Sequence, residues 1–136
     1  MVNSRILLAL AILTGISAAT ASAQSLKDLR FRERENAELS RQAAFTGEVC
    51  GRTISASIDW ESAANWPVSA SLAGACDGAL SAVETICRKG RQNVVHRFVC
   101  AGDGSGADLS GRTLRFGATP RENGYAATLE KLGAPE

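Results

Sequence analysis

The 136-residue chain has a single histidine, a single tyrosine and two tryptophans, and a net charge of only +1. One histidine leaves His96 without a second imidazole for a zinc site. None of the four cysteines stands in a C-x-x-C clip of the kind that binds metal or runs thiol exchange. The near balance of charge lacks the strong basic excess of nucleic-acid proteins, so neither a nucleic-acid partner nor a generally polybasic membrane binder is expected. Residues 102–108, Gly-Asp-Gly-Ser-Gly-Ala-Asp, lack the Lys and Ser/Thr of a phosphate loop and the spaced acids and closing Glu of a calcium loop. No cofactor and no metal are therefore expected, and the run reads as a mobile hairpin tip.

What is present begins with an export signal. Arg5 precedes an apolar stretch from Ile6, no further charge occurs before Lys27, and Ala21-Ser22-Ala23 offers small residues at both recognition positions of a cleavage site. Residues 1–23 are expected to be a signal peptide removed before Gln24. Their second half, rich in Ala, Ser, Thr and Gly, is too weakly apolar to anchor, so no membrane span is expected after cleavage. The remaining 113 residues suit one domain, and because Arg5 is the only charge removed, 14 basic and 14 acidic side chains remain. Four cysteines in an exported chain read as two disulfides. The Ala, Arg and Gly richness suits a bacterial protein, periplasmic or secreted.

Residues 24–46 are expected as a charged N-terminal helix, opened by a capping-box-like Ser25-Leu-Lys-Asp28, with a loose apolar stripe through Leu26, Leu29, Ala37 and Ala44. Residues 47–136 are expected as a disulfide-stabilised α+β domain. From Cys50 to Trp60 apolar and polar residues alternate, the pattern of a half-buried strand. After a loop holding Trp66-Pro67, Ser69 or Ser71 caps a helix whose Cys76, Ala79, Leu80, Val83, Ile86 and Cys87 form one stripe, stopped by Gly90. Gly74 and Gly78 within it suggest close approach to a sheet. Strands are expected at residues 94–100 and 113–116, the pair forming an antiparallel hairpin, and a last helix at 125–132.

The cysteines constrain how these pieces assemble. Within one helix Cys76 and Cys87 stand roughly 16 Å apart, too far to bond, yet eleven residues return to nearly the same face, so both point at one neighbour. The short connection after Cys87 sends the next strand back along the helix, bringing Cys100 near Cys76. Cys50 is left for Cys87, which makes the first two strands parallel around the helical crossover. The expected fold is α+β: a small mixed three-stranded sheet with a central crossover helix, N- and C-terminal helices, and two disulfides.

No motif places a nucleophile beside His96, and neighbouring acids such as Asp59 and Glu61 read as a solvated turn. The reading is of a non-enzymatic binding, inhibitor or accessory module, its partner another envelope or extracellular protein. Trp66, Asp103, Ser105 and Asp108 are the candidate contact residues. The alternatives are a small hydrolase centred on His96, with Asp59 or Ser57, and a structural envelope component binding through its N-terminal helix.

Overall fold

In a computed structural model, the backbone of residues 3–133 and the side chains of residues 25–133 are described. The expected signal segment, residues 1–23, lies outside the residues described with side chains. By contacts the chain divides into two units, Met1–Glu33 and Arg34–Glu136. The order of elements is α1 (Asn3–Cys50), β1 (Ser55–Asp59), α2 (Leu72–Arg88), β2 (Arg97–Ala101), β3 (Gly106–Ser110), β4 (Thr113–Gly117) and α3 (Tyr125–Gly133).

In the first unit, Leu26 and Leu29 of α1 are 54% and 52% exposed. In the second, the helix buries a different face from the one the sequence pattern suggests: Glu35, Leu39, Ala43, Thr46 and Cys50 are buried, while Ala37 and Ala44 are exposed. The buried positions recur at helical spacing, but two are polar, which hides the stripe from a hydrophobicity reading. Thr46 donates to the Glu84 carboxylate of α2 at 2.8 Å in the interior.

Alternation extended the first expected strand back to Cys50, whereas the structure ends α1 there and starts β1 at Ser55. Gly51 adopts a left-handed φ of 67°. Its N–H bonds the Glu48 carbonyl and the Arg52 N–H bonds the Gly47 carbonyl, the bond pattern of a Schellman stop. A side chain at Gly47 would strike the Arg52 carbonyl oxygen, so glycine is required on both sides of this turn. Ser71 caps α2, accepting from Gly74 N–H at 2.9 Å. Gly78 makes room for Asn123, which caps α3, rather than for the sheet. That position had suggested a helix against strands, and the close neighbour is instead another helix.

The sheet has four strands, not three, in the order β1-β2-β4-β3. β1 and β2 run parallel around the α2 crossover. β4 pairs parallel with β2, not as the expected antiparallel hairpin, and antiparallel with β3. The glycine-rich run explains the difference. Gly104 and Gly106 take left-handed φ values of 69° and 79°. They reverse the chain early enough for Gly106–Ser110 to form a strand of its own. A two-residue turn, Gly111-Arg112, with φ 60° at the glycine, then returns the chain as β4.

Ile54, Phe98, Cys100, Leu114 and Phe116 are buried together with the apolar stripe of α2. The disulfides tie this core: Cys76 of α2 bonds Cys100 of β2, and Cys50 at the end of α1 bonds Cys87 near the end of α2. Among the described residues no helix is long and apolar enough to cross a membrane.

Candidate functional site

Strand alternation sends Ser55, Ser57 and Asp59 of β1, Arg97 and Val99 of β2, Thr113 and Arg115 of β4, and Asp108 and Ser110 of β3 to the sheet face opposite the core. Val99 and, buried at the end of β2, Ala101 are the apolar side chains on this face, and the rest of it is a polar surface of mostly small residues.

Arg115 anchors that surface. Its Nη2 meets Asp103 at 2.8 Å and Asp59 at 3.3 Å. Its Nη1 donates to Ser105 Oγ at 2.9 Å. Ser105 in turn donates to Asp103 Oδ1 through its hydroxyl at 2.7 Å and its N–H at 3.1 Å. The loop after β2 is thus folded over β4, which Gly117 permits, since a Cβ there would collide with Asp103 and Ser105. A second clasp joins the ends of β1 and β2: Ser62 Oγ donates to the Asp59 carbonyl at 2.6 Å and accepts from Gly102 N–H at 3.0 Å. Where a hairpin tip was expected, the run forms a hydrogen-bonded turn that leads into β3.

The Arg115 guanidinium, and then the Ser105 hydroxyl, hold the Asp103 carboxyl well below the usual carboxylate range. Because folding lowers its pKa, the stabilisation is complete above that range and is lost only as pH falls toward the folded value. The Arg115–Asp103 pair is about a third exposed and screened by solvent. Asp103→Asn is therefore expected to cost no more than about 1 kcal/mol at neutral pH. Urea unfolding at pH 7 and pH 3 checks this, the difference between variant and wild type shrinking at the lower pH.

Of the residues singled out in the sequence, Asp103 and Ser105 lie in this cluster, and Asp108 stands opposite Arg115 in the β3–β4 register. Trp66 does not join them. It is 8% exposed, its indole N–H donates to the Ala70 carbonyl at 3.0 Å, and Gly102 packs against its ring. A tryptophan beside a proline in a loop is ambiguous between lid and anchor, and here it closes the core. Arg115 is the member of the cluster that sequence reasoning missed, while Asp59, read from the sequence as part of a solvated turn or as a partner for His96, is instead paired with Arg115. Arg115 had a signal: it interrupts Leu114 and Phe116 on the outward side of a strand.

His96 sits at the other end of the sheet, just before β2, its N–H bonded to the Arg112 carbonyl and its carbonyl to Ser55 N–H. Asp59 lies four residues along β1 from Ser55, about 13 Å away at strand rise, and is engaged by Arg115. Ser57 stands two residues beyond Ser55 on the outer face. The buried Nε2 of His96 has no hydrogen-bond partner among the described residues, so neither Asp59 nor Ser57 is bonded to it there. Burial, and then the neighbouring Arg52 and Arg112, push the His96 pKa below its ordinary value of 6.5. Since folding disfavours the imidazolium, stability falls as pH drops below the unfolded value. As the chain's only histidine, it gives one assignable imidazole signal, expected to titrate below pH 6.5 in the folded protein and at 6.5 in urea.

Among the described residues no group of three or more His, Cys, Asp or Glu side chains is placed to hold a metal ion. A cavity of about 700 Å³ between the β3–β4 turn and the end of α3 is lined by Arg91, Arg112 and Lys131. Arg91 is committed to the Leu132 carbonyl at 2.7 Å. Fold and site together define a small α+β domain with two disulfides and a one-sided mixed sheet. No model of a known family, no curated protein and no solved structure matches the chain.

Proposed function

We propose that the protein is an exported, periplasmic or secreted, binding or accessory module that recognises another envelope or extracellular protein through the open face of its sheet. The observation that carries this reading is the cluster of Asp59, Asp103, Ser105 and Arg115. Three segments contribute charged or hydrogen-bonding groups to it, and each group is already held in place. A surface ordered before binding loses little conformational entropy on association, which favours affinity. Its mixed charge and small side chains suit a polar protein surface rather than an apolar ligand.

Asp108 and Ser110 are exposed on this face. Lysine at both, D108K with S110K, is expected to weaken capture of the partner from envelope extracts about tenfold or more, with the unfolding midpoint unchanged. Equal capture by the double variant would remove the open face as the recognition surface. An N-terminus at Gln24 in protein recovered from the periplasm or medium is expected alongside.

A further inference from the structure

The structure points to a second recognition mode, at the edge of the sheet rather than on its face. We propose that the outer edge of β1 receives an extended peptide as an added strand, with acidic side chains on the open face of the sheet and small apolar ones on the other.

β1 is the edge strand beside β2. The bond from Ser55 N–H to the His96 carbonyl fixes its orientation. In a parallel ladder alternate residues face the neighbour, so Ser55, Ser57 and Asp59 bond toward β2, while the N–H and C=O of Ala56 and Ile58 point away from the sheet. No hydrogen bond to these four groups is made among the described residues. At the opposite edge, β3 packs against α3.

Two concavities flank the β1 edge, and Ala56 lines both. On the core side a groove of about 440 Å³ runs between β1 and the last turns of α1, lined by Ala43, Gly47, Ile54 and Ala56 and by the oppositely charged Glu48 and Arg52. On the open side a hollow of about 290 Å³ is lined by Ser55, Ser57, Arg97 and Val99. A strand laid along β1 would send alternate side chains into each. The groove admits small apolar groups, and its two opposite charges, Glu48 and Arg52, set no preference of sign there. Across the sheet Arg97 is exposed and forms no ion pair among the described residues. Arg97 therefore favours acids on the open face of the incoming strand, while main-chain bonds to Ala56 and Ile58 supply the pairing.

The test uses the whole mature protein and two capped peptides, acetyl-Thr-Val-Glu-Val-Glu-Val-Thr-amide and its counterpart with Lys in place of both Glu. In a titration followed by amide chemical shifts, the glutamyl peptide is expected to move Ala56, Ile58, Ser57 and Gly47 and to bind more tightly than the lysyl one. Ala56→Pro removes an outward N–H that the β1–β2 ladder does not use, a change tolerated on edge strands. It should weaken binding about tenfold, and Arg97→Gln should abolish the preference for Glu over Lys. If the proline variant does not fold, N-methylation of the peptide serves instead: at the central Val, whose N–H faces β1 in antiparallel pairing, or at the second Glu, whose N–H faces it in parallel pairing, one of the two should abolish binding to the wild type. Binding insensitive to both backbone changes, or no binding of either peptide, would overturn the proposal. The same shifts produced by concentrating the protein alone would assign the edge to a second copy and overturn it too. A failed titration would leave the open-face reading above standing, because D108K with S110K tests that surface separately.

Discussion

Replacing Cys76 and Cys100 together by Ala is expected to lower stability by about 3 to 4 kcal/mol, the loop-closure value for cysteines 24 residues apart. Both sulfurs lie at the centre of the core, where Cys76 and Cys100 are fully buried. The bond fixes the start of α2 to the middle strand pair of the sheet. Against the 5 to 15 kcal/mol typical of a domain, this loss removes a large fraction of the total. The second bond, Cys50 to Cys87, closes a 37-residue separation and is expected to contribute about as much. Removing both should leave a chain that is unfolded at 37 °C, read by circular dichroism and by resistance to protease. A double variant with an unchanged unfolding midpoint would show that the core holds the crossover without its cross-links.

Glu35→Ala is expected to cost about 2 to 3 kcal/mol, although the residue lies in a sequence segment that reads as solvated helix. Glu35 is 2% exposed. Its Oε1 accepts from the Ser71 hydroxyl at 2.7 Å and from Ala73 N–H at 3.2 Å. Ser71 in turn accepts from Gly74 N–H, so one carboxylate of α1 completes the cap of α2. A negative charge at a helix N-terminus is favoured by the exposed N–H dipoles there, and burial strengthens the bonds by keeping water away. Truncation strands the Ala73 N–H in the interior, which is the larger part of the expected cost. Glu35→Gln keeps an acceptor but not the charge and should recover part of the loss. Urea unfolding of the three proteins orders them, and an alanine variant within 0.5 kcal/mol of wild type would show that the bridge contributes little.

The crossover helix was legible because its apolar stripe, serine cap and glycine stop agree with one another. Its two cysteines then limited the topology through simple helix geometry. The pairing argument placed Cys50 at the start of a strand, whereas it ends α1. Both positions bring it near the end of α2, so the same bond results. β3 was hidden because a glycine-rich run is compatible with either a loose tip or a tight reversal. The deciding interactions, from Asp103 and Ser105 to Arg115, cross ten or more residues. The role of α1 was hidden for a related reason: Glu35 and Thr46 are buried with partners 36 or more residues away. Polar residues at core positions are legible only once their partners are known. For the same reason Asp103 and Ser105 stood out as loop residues while Arg115, which organises them, did not.

The central claim is that the open face of the sheet meets a protein partner outside the cytoplasm. The most direct measurement is photo-crosslinking in the native host from a reactive residue placed at Ser57, Asp108 or Ser110. The same residue at Lys89, exposed at the end of α2, serves as the control. The account predicts one discrete adduct, in the periplasmic or extracellular fraction, from all three open-face positions and none from Lys89. Adducts from Lys89 alone, or adducts confined to the cytoplasm, would contradict it.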